Sequence, residues 1–479
     1  MSEVVSRPAR ALFVAATGTL LAMTAFTAPL SIVPSVAADL QASVSATSWI
    51  LSSMSFGLGV ALLTAGALGD EIGRRRVFVA GAALLGIGSV ACGAAVDAGV
   101  FIAGRIVEGV GGAAVIACAL AVLSHAFPAG PGRVRALGIW GSCMGAGPAV
   151  GPLLGASLDV ASTWRLAYLV ITVLTLTLAA LSWWWLDESR SGRDRGVDVV
   201  GSGLLAVGLG CLLAALTECR QGWVRLPVVA LAIAALIALA AFIVHQLKSD
   251  KAMLELGLFR RPALISATCA AFVTGAGVIA LMSFISTVLE RASGRSPVQT
   301  SVLLLAWSGT SVAASLAARH VPKTLGGGTR LVIALTLLAA GLAPLSVLAV
   351  KTSVWQLITG MVVAGVATGL VNATLAGEAV ASVPVGQAGL GSGINNTSRY
   401  VGAAVGVTVV STLATQPAAD ARAALMAGWN HAALIGAVLT AVTALVVLSL
   451  QRAKNRWQQH APAVAGGHSP VRVASDAVE

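Results

Sequence analysis

One feature recurs from end to end of this chain: apolar stretches of about 20 residues or more, set apart by short charged or Pro/Gly-rich breaks. A run of that length matches the hydrocarbon thickness of a bilayer. Inside lipid, every backbone N–H and C=O must be satisfied within the segment, so each run is expected to be a helix. A membrane β-barrel would instead alternate apolar and polar residues in segments of about ten, and these runs are continuous. Composition agrees. The 479 residues are 57% apolar and only 10% charged, whereas a soluble domain carries about 25% charged residues. Too few charges remain to clothe a soluble surface of this size, which leaves lipid as the solvent. The chain reads as an all-α polytopic membrane protein.

Fourteen spans are expected, at 11–36, 47–68, 77–97, 100–123, 134–158, 164–186, 198–218, 226–247, 263–289, 299–318, 329–350, 353–375, 390–414 and 429–450. The first follows Arg7 and Arg10 and exceeds the apolar core of a cleaved leader, about 7–15 residues, so it is expected to stay as a helix. With the N-terminus inside, 21 of the 30 Lys and Arg fall on the inner side and seven outside, while Arg105 and Arg399 lie within spans. That bias fits an even number of spans with both termini cytoplasmic. It also accounts for the net charge of +11, which sits in short loops and not on a nucleic-acid surface. The six cysteines lie in or beside apolar runs without CxxC or Cys/His spacing. They read as small buried hydrophobes, with no metal, disulfide or cofactor expected.

The most charged internal segment, Asp187–Asp198, divides the chain. The expected organisation is a six-helix bundle over 1–186, a charged linker with two inserted helices over 187–250, a second six-helix bundle over 251–450, and a disordered cytoplasmic tail over 451–479. Two six-helix halves suggest a pseudo-symmetric transporter.

Several clusters carry chemistry. After the second span, Gly66, Asp70, Gly73, Arg74 and Arg75 set an acid and a basic cluster in a tight turn. Asp70 is placed to pair with a cation or to cap a neighbouring helix, although a plain positive-inside loop would look similar. In the fourth span, Arg105 and Glu108 are ionisable groups at bilayer depth, one turn apart on one helix face. They are either a structural ion pair or a proton-handling site, since a carboxylate in such surroundings can cycle between neutral and charged forms. The fifth span holds Gly141, Gly145, Gly147, Pro148, Gly151, Pro152 and Gly155. Those glycines permit close helix approach, and the prolines remove backbone hydrogen bonds and bend the span. In the thirteenth, Asn395, Asn396 and Arg399 are candidates to contact substrate or to stabilise one conformational state. Asp39, Glu218, Glu290 and Glu378 sit near span ends, where capping is the ordinary role.

These stretches resemble signatures of the major facilitator superfamily. Gly66 to Arg75 is similar to its motif A, Arg105 to Gly112 to motif B, and Gly141 to Gly155 to the antiporter motif C. Gly393 to Gly402 resembles the penultimate-helix signature of the 14-span drug:proton antiporter branch. The resemblance implies the major-facilitator fold, two six-helix bundles with two inserted helices, and alternating-access export of small amphipathic molecules (drugs, antibiotics or secondary metabolites) coupled to protons. It implies a monomer in a bacterial cell membrane. It also implies a cytoplasmic gate at Asp70 and proton transfer involving Arg105. One departure matters: the first span of this branch usually carries an aspartate, and Ala25 stands there. Coupling is then expected to fall to Glu108, Glu218 or Glu290. The other readings are a lipid or siderophore transporter of the same fold, or a non-transporting receptor or assembly protein. No nucleophile–base set, phosphate loop or metal cluster suggests an enzyme.

Overall fold

The computed structural model describes residues 2–460 except 192–195, 220–221, 250, 322–324, 350–351 and 415–419. Every long element among the described residues is a helix. The first half holds α1 (Ser2–Thr27), α2 (Pro29–Asp39), α3 (Val44–Ile72), α4 (Arg74–Gly93), α5 (Ala98–Ala126), α6 (Pro131–Ala161) and α7 (Trp164–Trp185). The inserted pair is α8 (Val199–Glu218) and α9 (Leu226–Lys248). The second half holds α10 (Pro262–Val273), α11 (Ala280–Thr287), α12 (Pro297–Ala317), α13 (Gly327–Leu342), α14 (Val354–Ala381), α15 (Ala388–Ala414) and α16 (Ala421–His460). Among the described residues, 12 helical segments are long and apolar enough to cross a membrane. The 31-residue α6 and 27-residue α15 are as long, but their glycines and polar groups lower their hydropathy.

Three expectations on element boundaries are corrected. The first span is two helices, because Pro29 has no N–H to give the Ala25 carbonyl and the chain breaks at Ala28–Pro29. The ninth is α10 and α11 joined by a π-helical turn, Thr274–Ile279, with a second one at Val288–Ala292. The polar tail does not begin at Gln451, since α16 runs on to His460. Gln, Arg, Ala and Lys are strong helix formers and carry an established helix past the end of its apolar stretch. The rest of the expected tail, 461–479, lies outside the described residues.

Glycine sets the packing inside the first half. A Cβ on Gly57 would lie 3.0 Å from the Gly109 Cα, and one on Gly81 would lie 2.8 Å from the Gly111 carbonyl. Bare backbones on both sides thus seat α5 between α3 and α4. The inserted pair lies along the junction of α3 and α15. Leu205, Leu209 and Phe242 share an apolar cluster with Leu63 of α3 and with Leu390 and Ile394 of α15, and the Thr408 hydroxyl donates to the Leu216 carbonyl at 2.8 Å.

The near end of this pair is clipped by Asp198. Its carboxylate accepts from Gly201 N at 2.7 Å, from the Gln246 amide at 2.7 Å and from Met253 N at 3.3 Å, with the His245 ring at 2.8 Å. Burial alone would raise this carboxyl, but those hydrogen bonds outweigh it and hold it below the usual aspartate value. A lowered carboxyl stabilises the fold above its unfolded value of about 4, and that contribution is lost as pH falls through the lowered folded value. Asp198→Ala is therefore expected to raise protease cleavage between 249 and 261 at pH 7. Acidifying the wild type below pH about 4 should approach the same cleavage rate.

Candidate functional site

Among the described residues, two buried ion pairs and one buried cation without a counter-ion mark the interior. The deepest pair is Arg105 and Glu108, both fully shielded, with Nη1 2.7 Å from Oε2. Helical spacing of three places them on one face of α5, and the surrounding groups complete the site. Ser89 of α4 donates to the other Glu108 oxygen at 2.6 Å. Gly88 makes room for this approach, since a Cβ there would lie 2.6 Å from Glu108 N. Arg105 donates Nη1 to the Ala25 carbonyl at 2.6 Å and Nη2 to the Phe26 carbonyl at 3.1 Å. The Ala25 carbonyl is the one that Pro29 leaves without its helical donor. Where the family pattern has an acidic side chain, this protein offers a backbone oxygen, and Glu108 supplies the negative charge.

The second pair closes one end of the seam between the halves. Asp70, in the last turn of α3, accepts from Arg74 Nη2 at 2.9 Å and Nε at 3.1 Å. Its other oxygen accepts from Leu390 N at 2.8 Å, in the first turn of α15. Helix N-termini leave N–H groups unpaired, and a carboxylate is their natural cap. Arg74 in turn donates to the Gly386 carbonyl at 2.7 Å. Acid and base of the same turn therefore both reach into the second half. Gly66 and Gly389 meet backbone to backbone just above, and a Cβ on either would collide with the other's carbonyl. Gly73 links α3 to α4 with φ +126°, a region other residues rarely adopt. Arg75 has a different role. It lies 3.8 Å from Glu188, as Arg76 does at 3.5 Å, in the segment that follows α7.

The glycines of α6 divide into two stripes. On one, Gly138, Gly141 and Gly145 face Ser315 and Ser311 of α12 across the seam. On the other, Gly147, Gly151 and Gly155 face Met23, Thr24 and Ala28 of α1 and its junction with α2. Thr27 donates to the Gly147 carbonyl at 3.1 Å and Ser31 to the Pro152 carbonyl at 2.8 Å. Motif C is thus an interface between halves only along its first part; its second part locks α6 to α1 and α2. Gly151→Val is expected to cost about 1–3 kcal/mol of stability by overpacking, because its Cβ would sit 2.6 Å from the Thr24 carbonyl. Gly145→Val meets the Ser311 side chain instead and should spare the melting temperature more. Thermal unfolding of the two variants side by side checks the division.

The remaining candidates are placed as follows. Glu218 ends α8, where it accepts from Trp49 Nε1 at 2.8 Å and lies 3.6 Å from Arg225. It clips α8 to the start of α3. Glu290 is half-buried in the second π-turn. Asn395 donates to the Ala267 carbonyl of α10 at 3.3 Å and Asn396 to the Ser392 carbonyl at 3.0 Å. Arg399 is 3% exposed. Tyr400 crosses the seam, with its ring 5.9 Å from that of Phe26 and its hydroxyl 3.6 Å from the Met23 sulfur. Residue spacing did not reveal Ser89, Glu188 or the α15 N-terminus. The vacant Ala25 carbonyl was signalled by Pro29 four residues on.

Helical halves that meet along a glycine-lined seam, with ionisable groups held at mid-depth beside it, define a membrane transporter. The chain belongs to the major facilitator superfamily, whose family model matches residues 15–407. It is 31% identical over 388 residues to the puromycin resistance protein pur8 of Streptomyces alboniger, covering 80% of this chain and 77% of that one. It is 28% identical over 395 residues to the tetracenomycin C resistance and export protein of Streptomyces glaucescens, covering 81% and 72%. The multidrug resistance protein Stp of Mycobacterium tuberculosis is 29% identical over 369 residues, covering 76% and 68%. Among solved structures, the human organic anion transporter MFSD10 shares the fold at a TM-score of 0.66 and 17% identity, covering 92% of this chain and 99% of that one.

Proposed function

We propose that this protein is a proton-coupled exporter of small amphipathic molecules, drugs or antibiotics among them, working by alternating access as a monomer in the bacterial plasma membrane. The relatives named for drug resistance and export support the cargo class. In this reading α6 and α15 cross with the other segments to give fourteen spans, both termini are cytoplasmic, and the halves divide near 186 and 250. The closed Asp70–Leu390 contact then seals the cytoplasmic side.

The observation that carries the coupling is the position of Glu108. A proton arriving there would cancel its charge and leave Arg105 without a counter-ion. Arg105 is what holds the Ala25 and Phe26 carbonyls at the break in α1, and Phe26 touches Tyr400 of the opposite half. Protonation thus loosens a joint that spans the seam. Inward proton movement supplies about 2.3 kcal/mol per charge per 100 mV.

The test is purified protein in liposomes under an imposed pH gradient, with an anionic and an uncharged amphiphilic dye as cargo. Gradient-dependent movement that stops on adding a protonophore is the expected result. A folded protein that moves neither compound, nor others in a wider panel of dyes and antibiotics, would overturn the export reading and favour a lipid or siderophore role.

A further inference from the structure

The buried Asp, Glu, Lys and Arg side chains among the described residues are Asp70, Arg74, Arg105, Glu108, Asp198 and Arg399. All but one have a partner. Asp70 holds Arg74, Glu108 holds Arg105, and Asp198 is held by four donors. Arg399 has none: among the described residues nothing accepts a hydrogen bond from its guanidinium, no carboxylate lies within ion-pair distance, and its Nε is enclosed without an acceptor. Burying a lone charge is among the most costly arrangements in a fold. At bilayer depth such a cation marks a site whose partner arrives from elsewhere.

The surroundings fix where that partner must come from. Arg399 lies on α15 one turn beyond Asn395, at the level where α15 meets the π-helical turn Thr274–Ile279. Gly275, Gly402 and Gly406 bring the two backbones together, and a Cβ on Gly275 would collide with the Arg399 carbonyl. A π-turn is rare and frequently marks a functional site. The next residue, Tyr400, crosses the seam to Met23 and Phe26. Arg399 thus sits on the helix that reaches the seam, one residue before the side chain that touches the joint held by Arg105. The Arg105–Glu108 pair is neutral and the Asp70–Arg74 pair sits at the end of the seam, so among the described residues Arg399 is the uncompensated charge within the spans.

From this we infer that Arg399 is the anchor for the acidic group of an anionic cargo: a carboxylate or phenolate on an apolar body, received by the planar guanidinium fork. Cationic amphiphiles are disfavoured by the same uncompensated charge. The inference rests on the export reading and narrows its substrate class.

Three dansyl probes of one chain length test it: 11-(dansylamino)undecanoic acid, its methyl ester, and the corresponding terminal amine. Binding to the full-length protein in detergent is read by dansyl fluorescence, and gradient-driven movement is read in liposomes. The wild type should bind the acid about tenfold or more tighter than the ester, and the amine weakest, as expected for one charged hydrogen-bonded contact. Arg399→Gln should bring the acid down to the affinity of the ester, and Arg399→Lys should keep part of the preference. Equal binding of all three probes by the wild type, or preference for the amine, overturns the inference without any variant. So does a preference that survives in folded Arg399→Gln. Acid binding with no movement of any probe or drug would sink the export reading and leave the anion site standing. Movement of amine and ester with no preference for the acid would do the reverse.

Discussion

Glu108→Gln is expected to yield a folded transporter whose cargo movement no longer responds to a pH gradient. Glutamine keeps the length of the side chain and one oxygen to accept from Arg105, with its NH2 free to donate to the Ser89 hydroxyl, but it cannot change charge. Efflux in liposomes should fall to the level seen with a protonophore, while binding in detergent persists. Normal gradient-driven efflux in this variant would remove Glu108 from the coupling scheme and turn attention to Glu290. The stability of the pair gives a second reading. Glu108→Ala leaves a buried guanidinium with only carbonyl acceptors and should cost about 3–5 kcal/mol. The double variant Arg105→Met, Glu108→Ala removes both charges and should cost less than Glu108→Ala alone. A double variant that instead costs the sum of the two single changes would show that the two charges do not depend on each other.

Asp70→Ala should open the end of the seam that the contact with α15 closes. The substitution deletes the cap on Leu390 N and strands Arg74 beside Gly386. Removing one member of a buried pair costs about 3–5 kcal/mol, enough to shift the balance between two states by roughly a hundredfold or more. Spin labels at Ile72 and Val385, both exposed, sit on either side of the contact. Wild type should give one short distance, and Asp70→Ala a second, longer one. Gly66→Val should produce the same longer distance by a different force, because its side chain would collide with the Gly389 backbone. Unchanged distances in both variants would mean that this contact does not hold the seam shut.

The residues that were legible in the sequence share a physical signature. Apolar runs, the Gly66–Arg75 turn, the Arg105/Glu108 spacing and the glycine series of α6 are local patterns, imposed by lipid or by one helix face. Twelve of the helical segments could be read from hydropathy alone. α6 and α15 could be read only by their length and motifs, since the features that make them useful at the seam, glycine and buried polar groups, make them less apolar. The break at Pro29 was also written locally, in a missing N–H, although the expected single span overlooked it.

What the sequence determined by itself is therefore the solvent and the scaffold: a helical membrane protein and a short set of charged residues that do not belong in lipid. Tertiary structure alone decided which distant backbone groups those charges meet. Asp70 meets Leu390 across 320 positions, and Arg105 meets Ala25 across 80. Only folding creates these contacts, because they join a side chain to a backbone group whose availability depends on where a distant helix begins or breaks. The same separation explains the two stripes of α6, where one glycine series serves a neighbour in its own half and the other serves the opposite half. It explains Arg399 as well. The sequence shows a cation at bilayer depth, but that no described residue gives it a counter-ion is a property of what packs around it.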